Sequence, residues 1–245
     1  MAKNMNKLIK QIPNLITSGN LLCGSFSVVA SFSGRLDIAA LLIILGAVFD
    51  FFDGMVARLL KASGPIGLQL DSLADMVSFG LAPAVIIFEM LQNSSPSTTI
   101  QIAGIPLIAY FAFIHVPFAA YRLAKFNVDT RQHTSFIGLP TPASALVLLS
   151  FPLIVKYEAL RFPHLVLTFT NTWFLLITTF ILSLLMVSEL PLFSLKFKKG
   201  DKDNIVRIIF LIVAVVLLGF FHFLAIPVII LIYIIVSLFR YKKEK

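Results

Sequence analysis

The chain has 245 residues, 58% of them hydrophobic and only 13% charged, against about 25% charged in an ordinary soluble domain. Apolar runs of about 20 residues, enough to cross a bilayer, recur along nearly all of it, which leaves no room for a sizeable soluble module and makes residues 1–245 a single polytopic membrane domain. The net charge of +8 does not point to nucleic acid, because the basic residues collect in short segments between apolar runs, and one cysteine, Cys23, excludes an internal disulfide or a thiolate metal cluster.

In chain order, residues 3–12 read as a short amphipathic helix on the membrane surface, with Lys3, Lys7 and Lys10 toward the headgroups. A secretory leader has the same polarity, but no small-residue cleavage site follows. An all-α fold of about eight transmembrane helices is then expected, near 14–33, 36–60, 71–92, 101–124, 141–160, 168–188, 205–221 and 223–240. The last two form one apolar run that divides at Gly219–His222, and Pro117 and Pro227 are expected to bend their helices. With both termini cytoplasmic, only Arg35, Lys156 and Arg161 of the 20 basic residues fall on the outer side. That asymmetry sets the orientation and requires an even number of crossings.

Four carboxylates stand where lipid-embedded helices avoid them: Asp50, Asp53, Asp71 and Asp75. An ionised group inside a membrane helix costs at least about 2.5 kcal/mol even on the mildest scale, so something must compensate. Asp50 and Asp53 are three apart and Asp71 and Asp75 four apart, so each pair lies on one helix face. The break Ser63-Gly64-Pro65 makes the two helices antiparallel neighbours, whose faces converge on one acidic pocket near the cytoplasmic side. Arg58 is the one basic residue on those faces, so divalent cations must supply the remaining charge. An all-oxygen donor set with no His or Cys favours Mg²⁺, Mn²⁺ or Ca²⁺, and four carboxylates suit two ions acting on a phosphate. Gly54 and Ala57, on the Asp50 face, and Gly67 opposite would let a ligand approach the backbone, while Arg58 could pair with a diphosphate. A cation transporter is the competing use of intramembrane acids. His115, His133, His164 and His222 are scattered over different segments, with no ligand spacing among them.

The full pattern Asp50-x2-Asp53-Gly54-x2-Ala57-Arg58-x8-Gly67-x3-Asp71-x3-Asp75 resembles the complete motif of the CDP-alcohol phosphatidyltransferase family. The resemblance implies that a CDP-alcohol is cleaved between its phosphates by an acceptor hydroxyl, with CMP leaving. It implies Asp50, Asp53, Asp71 and Asp75 as ligands of Mg²⁺ or Mn²⁺, two ions in all, and Asp75 also as general base. Gly54, Ala57, Arg58 and Gly67 would line the CDP site. Pro13-Asn14-x2-Thr17-x2-Asn20 also resembles the family, so Asn14 or Thr17 could bind the nucleotide, or could merely cap the first helix.

Tyr121–Asn127 and Phe136–Pro142, within an acceptor-selecting region 121–142, together with Pro191–Lys198, resemble the phosphatidylserine synthase branch of that family. This implies CDP-diacylglycerol and L-serine as substrates at a bacterial cytoplasmic membrane, and a homodimer. A serine pocket needs a cation for the carboxylate and an acceptor for the ammonium; Arg122 and Asn127 are the candidates, with interfacial snorkelling as their other reading. Glycerol 3-phosphate or inositol phosphate is the alternative acceptor.

Overall fold

A computed structural model of the chain describes residues 10–62, 64–95, 100–102, 104–129, 136–192 and 204–244. It is all-α, apart from two ladders of two residues each, pairing Gln101–Ile102 with Ile105–Pro106 and Phe136–Ile137 with Pro191–Leu192. Helix α1 (Ile12–Phe32) and helix α2 (Leu36–Leu59) form an antiparallel pair across a turn in which Gly34 takes φ +72°. The buried stripe of α1 is Thr17, Asn20, Cys23, Gly24, Ser27 and Ser31. Small and polar residues at this spacing let membrane helices approach closely and hydrogen-bond across the gap. Ser27 Oγ accordingly donates to Ala39 O of α2 at 2.9 Å.

Helix α3 (Pro65–Asp75), a π-helical segment (Met76–Leu81) and helix α4 (Ala82–Gln92) run on as one 28-residue rod. Its most apolar stretch is 72% buried, against 33% and 28% in α1 and α2, so this rod is the centre of the bundle. Alpha1 crosses it at the π-helical segment, where a Cβ on Gly24 would lie 2.7 Å from Ser78 Cα; only glycine fits. Such single-turn π segments concentrate at functional sites.

A 3₁₀ stretch (Leu107–Ile114) leads into helix α5 (His115–Val128), followed by α6 (Thr141–Tyr157), α7 (Pro163–Phe169), α8 (Thr172–Val187), α9 (Asn204–Phe221) and α10 (Ala225–Glu244). Gly138, at φ +76°, enters α6: its N–H donates to Leu190 O, and a Cβ there would meet Met186 O at 2.5 Å. Buried His115 joins α5 to the rod and to α8, with Nε2 3.3 Å from Phe79 O and Nδ1 3.4 Å from Ser183 Oγ. Cys23 is buried in α1 as a free thiol.

Several expectations shift. Five stretches are long and apolar enough to cross a membrane: Ile12–Phe32, Leu36–Leu59, Pro65–Gln92, Leu107–Val128 and Asn204–Arg240; Thr141–Tyr157 and Thr172–Val187 are apolar but shorter. Within the last stretch the chain turns at His222 (φ +43°), and the Phe210 and Tyr233 rings on either side of the turn meet at 5.8 Å, so α9 and α10 fold back on one another. The helix expected at 101–124 begins only at Leu107, because Gly104 (φ +79°) closes a hairpin first. The helix expected at 168–188 starts at Thr172, where Asn171 Oδ1 accepts the Trp173 and Phe174 N–H groups and so caps it. Pro117 and Pro227 each stand two residues past a junction where 3₁₀-helix gives way to α-helix, and Pro152 lies inside α6. Most of the interfacial helix, Ser63, the tip of the outer loop and the segment Lys196–Asp203 lie outside the described residues.

Candidate active site

Asp50 and Asp53 fall in the last three turns of α2, and Asp71 and Asp75 in the last two of α3. Between the helices the chain turns at Leu60–Gly64, with Lys61 at φ +49°. This short link brings the two acidic faces together. One carboxylate oxygen from each of Asp50, Asp53 and Asp71 lies within 4.8 Å of the other two. Asp75 is not one of that trio; it is buried, and its Oδ1 accepts a hydrogen bond from Asn20 Nδ2 of α1 at 3.1 Å.

The trio opens into a cavity of about 290 Å³. Gly54, Ala57, Arg58 and Gly67 line it, and so do Asn14 and Thr17 from α1. Neither Asn14 nor Thr17 caps α1: the N-cap is Gln11, and the Thr17 hydroxyl donates to Pro13 O at 3.0 Å. A Cβ on Gly67 would come within 3.3 Å of Asn14 Oδ1, tighter than an ordinary van der Waals contact, so a larger residue there would crowd Asn14. Near Gly54 the nearest group is Arg58 Nη1, 4.0 Å from where a Cβ would stand.

The donors fit a hard divalent cation. Among the described residues none of the four acids is ion-paired with Lys or Arg, and Asp53 Oδ2 is buried without a hydrogen-bond partner. Carboxylates this close repel one another, and a cation between them would remove that repulsion; oxygen-only ligation selects Mg²⁺, Mn²⁺ or Ca²⁺ over softer metals.

Residues 10–185 match the CDP-alcohol phosphatidyltransferase family. The chain belongs to that family. It is 34% identical over 195 residues to the CDP-diacylglycerol--serine O-phosphatidyltransferase of Bacillus subtilis, covering 79% of this chain and 95% of that protein. It is 34% identical over 152 residues to the Helicobacter pylori (strain J99) protein of the same name, and 35% identical over 154 residues to the archaetidylserine synthase of Methanothermobacter thermautotrophicus; each match covers 61% of this chain and 60% of the relative.

For a CDP-alcohol phosphatidyltransferase the remaining predicted residues lie differently from the acids. Arg122 and Asn127 do not line the acidic cavity. Arg122 is buried on α5, its guanidinium 5.1 Å from the centre of the Phe126 ring and its Nε without a hydrogen bond. Asn127 Nδ2 donates to Ser72 Oγ at 2.8 Å, which ties the end of α5 to the residue after Asp71. Asn20 stands in the Pro13–Asn20 pattern and Gly64 in the break between α2 and α3, but neither was given a site role, and Ala62 and Leu68 were not singled out. Asn20 had a legible signal: it follows Thr17 by three residues and so shares its helix face. The other three become cavity walls only when the α2–α3 turn folds back.

Proposed function

We propose that the chain transfers the phosphatidyl group of CDP-diacylglycerol to the hydroxyl of L-serine, releasing CMP. The observation that carries this reading is the convergence of Asp50, Asp53 and Asp71 beside a cavity walled by glycine and alanine with Arg58 at its side. The names of the relatives supply the substrates. In the reaction the serine oxygen forms a bond to the phosphorus that carries diacylglycerol, and the bond from that phosphorus to the bridging oxygen of CMP breaks. CMP departs with the electron pair, and the hydroxyl proton passes to a carboxylate, for which Asp75 is the choice.

Asp50, Asp53 and Asp71, with Asp75, would hold two Mg²⁺ or Mn²⁺ ions, whose charge offsets that of the diphosphate and of the leaving nucleotide. Asn14, Thr17, Gly54, Ala57 and Gly67 let the nucleotide lie against α1, α2 and α3, and Arg58 donates to a phosphate oxygen. Arg122 and Asn127 select the acceptor from the α5 side, through the Asn127–Ser72 contact beside Asp71. The chain crosses the bacterial cytoplasmic membrane eight times, if the two shorter helices cross and the turn at His222 returns the chain, with both termini and the active site on the cytoplasmic side. It works as a homodimer.

The test is an acceptor panel with purified protein, CDP-diacylglycerol and Mn²⁺ or Mg²⁺. CMP release dependent on L-serine is expected. Release with glycerol 3-phosphate or inositol phosphate and none with serine would reassign the acceptor. Metal flux into vesicles without nucleotide binding would replace the enzyme with a transporter.

A further inference from the structure

Asp75 is the one acid of the motif that is neither in the close trio nor on the cavity wall, and it is held from a third helix. Asn20 makes two connections to the rod. Its side-chain Nδ2 donates to Asp75 Oδ1 at 3.1 Å, and its main-chain oxygen accepts from Ser78 Oγ at 2.8 Å. These two partners bracket Met76, where α-helix gives way to π-helix, so Asn20 grips the rod on both sides of its change of pitch.

The surroundings of Asn20 are shaped for that grip. The residue is fully buried, and its Oδ1 has no hydrogen-bond partner. A buried amide oxygen left unpaired costs free energy, so burial of the amide is tolerated for what its other end does. Opposite lies Gly46 of α2, where a Cβ would stand 2.9 Å from Asn20 Oδ1. A Cβ at position 46 would force the amide to shift from its place against Asp75. Nearby, Gly24 lets α1 sit against Ser78 closely enough for the second bond.

We propose that Asn20, seated by Gly46, is a positioning residue that fixes the Asp75 carboxylate for the proton transfer. This rests on the phosphatidyl-transfer reading. Asn20 does not line the cavity, so its work is done through Asp75 and not on the nucleotide. General-base catalysis contributes about 10²- to 10⁴-fold, and misplacing a reacting group by about 1 Å costs about 10²-fold.

The experiment compares full-length wild type with Asn20→Leu, Asn20→Ala, Gly46→Ala and the Asn20→Ala/Gly46→Ala double variant. Asn20→Leu keeps nearly the shape of the side chain and removes the N–H donor without adding a charge beside Asp75, so it separates the hydrogen bond from packing. Kinetics are measured alongside the thermal stabilisation given by CDP with Mn²⁺. Both Asn20 variants are expected to lower kcat about 10- to 100-fold, with KM for the CDP lipid within about twofold and the stabilisation retained. Gly46→Ala is expected to lower kcat in the same way, but to add little in the Asn20→Ala background, because both changes act on one contact. Wild-type kcat in Asn20→Leu, loss of CDP stabilisation in a folded Asn20 variant, or additive effects of the two sites would each overturn the proposal. If wild type uses another alcohol, only the serine reading fails, and the comparison is run with that alcohol. Inactivity of wild type with every acceptor overturns both.

Discussion

Helix α2 carries acids toward both of its ends, and the two ends treat a buried carboxylate in opposite ways. Near the start, Asp37 is bonded to Lys156 Nζ at 2.5 Å and lies 3.6 Å from Arg35. All three line a cavity of about 340 Å³ together with Glu89, so two cations face two acids. Near the other end, a cavity of about 290 Å³ has Asp50, Asp53 and Asp71 on its wall and Arg58 as its one cation. The cavities are similar in size; the charge balance separates them. At the first end the protein neutralises its own acid, which is ordinary structural economy for a group that the membrane would expel. At the second it leaves three acids facing each other, and that uncompensated charge marks a place for a ligand cation.

The largest effect that sharpens this contrast comes from charge removal at the acidic end. Asp71→Asn, or chelation of divalent ions from wild type, is expected to lower CMP release by about 10³-fold or more. Stabilisation by Mn²⁺ in a thermal-shift assay should vanish in Asp71→Asn. Full activity after exhaustive chelation would erase the distinction between the two ends. A smaller effect is expected from the cavity wall. Gly67→Val places methyl groups beyond a Cβ position already 3.3 Å from Asn14 Oδ1. Overpacking of that size costs about 1–3 kcal/mol, so KM for the CDP lipid should rise about 5- to 150-fold. With kcat held within about threefold, the loss belongs to nucleotide binding. A fall in kcat at unchanged KM would mean that Gly67 does not face the nucleotide.

The acids were readable in the sequence because their geometry is local. A spacing of three or four fixes a shared helix face, and a five-residue turn leaves two consecutive helices little choice but to lie antiparallel. Gly54, Ala57 and Gly67 were legible for the same reason, each being about a turn from one of the acids, whereas Asn14 and Thr17 came from the resemblance of the Pro13–Asn20 pattern to the family. What remained hidden depends on contacts between distant segments. The bond from Asn20 to Asp75 joins residues 55 apart, and the pairing of Asp37 with Lys156 joins residues 119 apart. The hairpin at Gln101–Pro106 was masked by its apolar composition, which reads like the start of a helix. Arg122 was chosen for its charge, yet it packs its guanidinium on Phe126 inside the bundle, a burial that its place among polar neighbours in the sequence does not announce.

The smallest expected effect lies at the self-neutralised end, and it has a direction as well as a size. Lys156→Met removes the closer cation and leaves Asp37, 8% exposed, with Arg35 alone at 3.6 Å. Asp37→Asn removes the acid and leaves Lys156, whose side chain is 48% exposed, free to reach water or headgroups. Stranding a buried acid costs more than stranding a half-exposed cation, although the exposure of Lys156 keeps the pair itself to about 1 kcal/mol. Lys156→Met should therefore lower Tm by about 2–4 °C, and Asp37→Asn by less. Neither should alter CDP binding or the Mn²⁺ requirement, since Asp37 precedes Asp50 by about 20 Å of helix. If Lys156→Met weakened metal-dependent CDP binding, the two cavities would be coupled along α2, and charge balance would no longer separate a structural acid from a ligand-binding one.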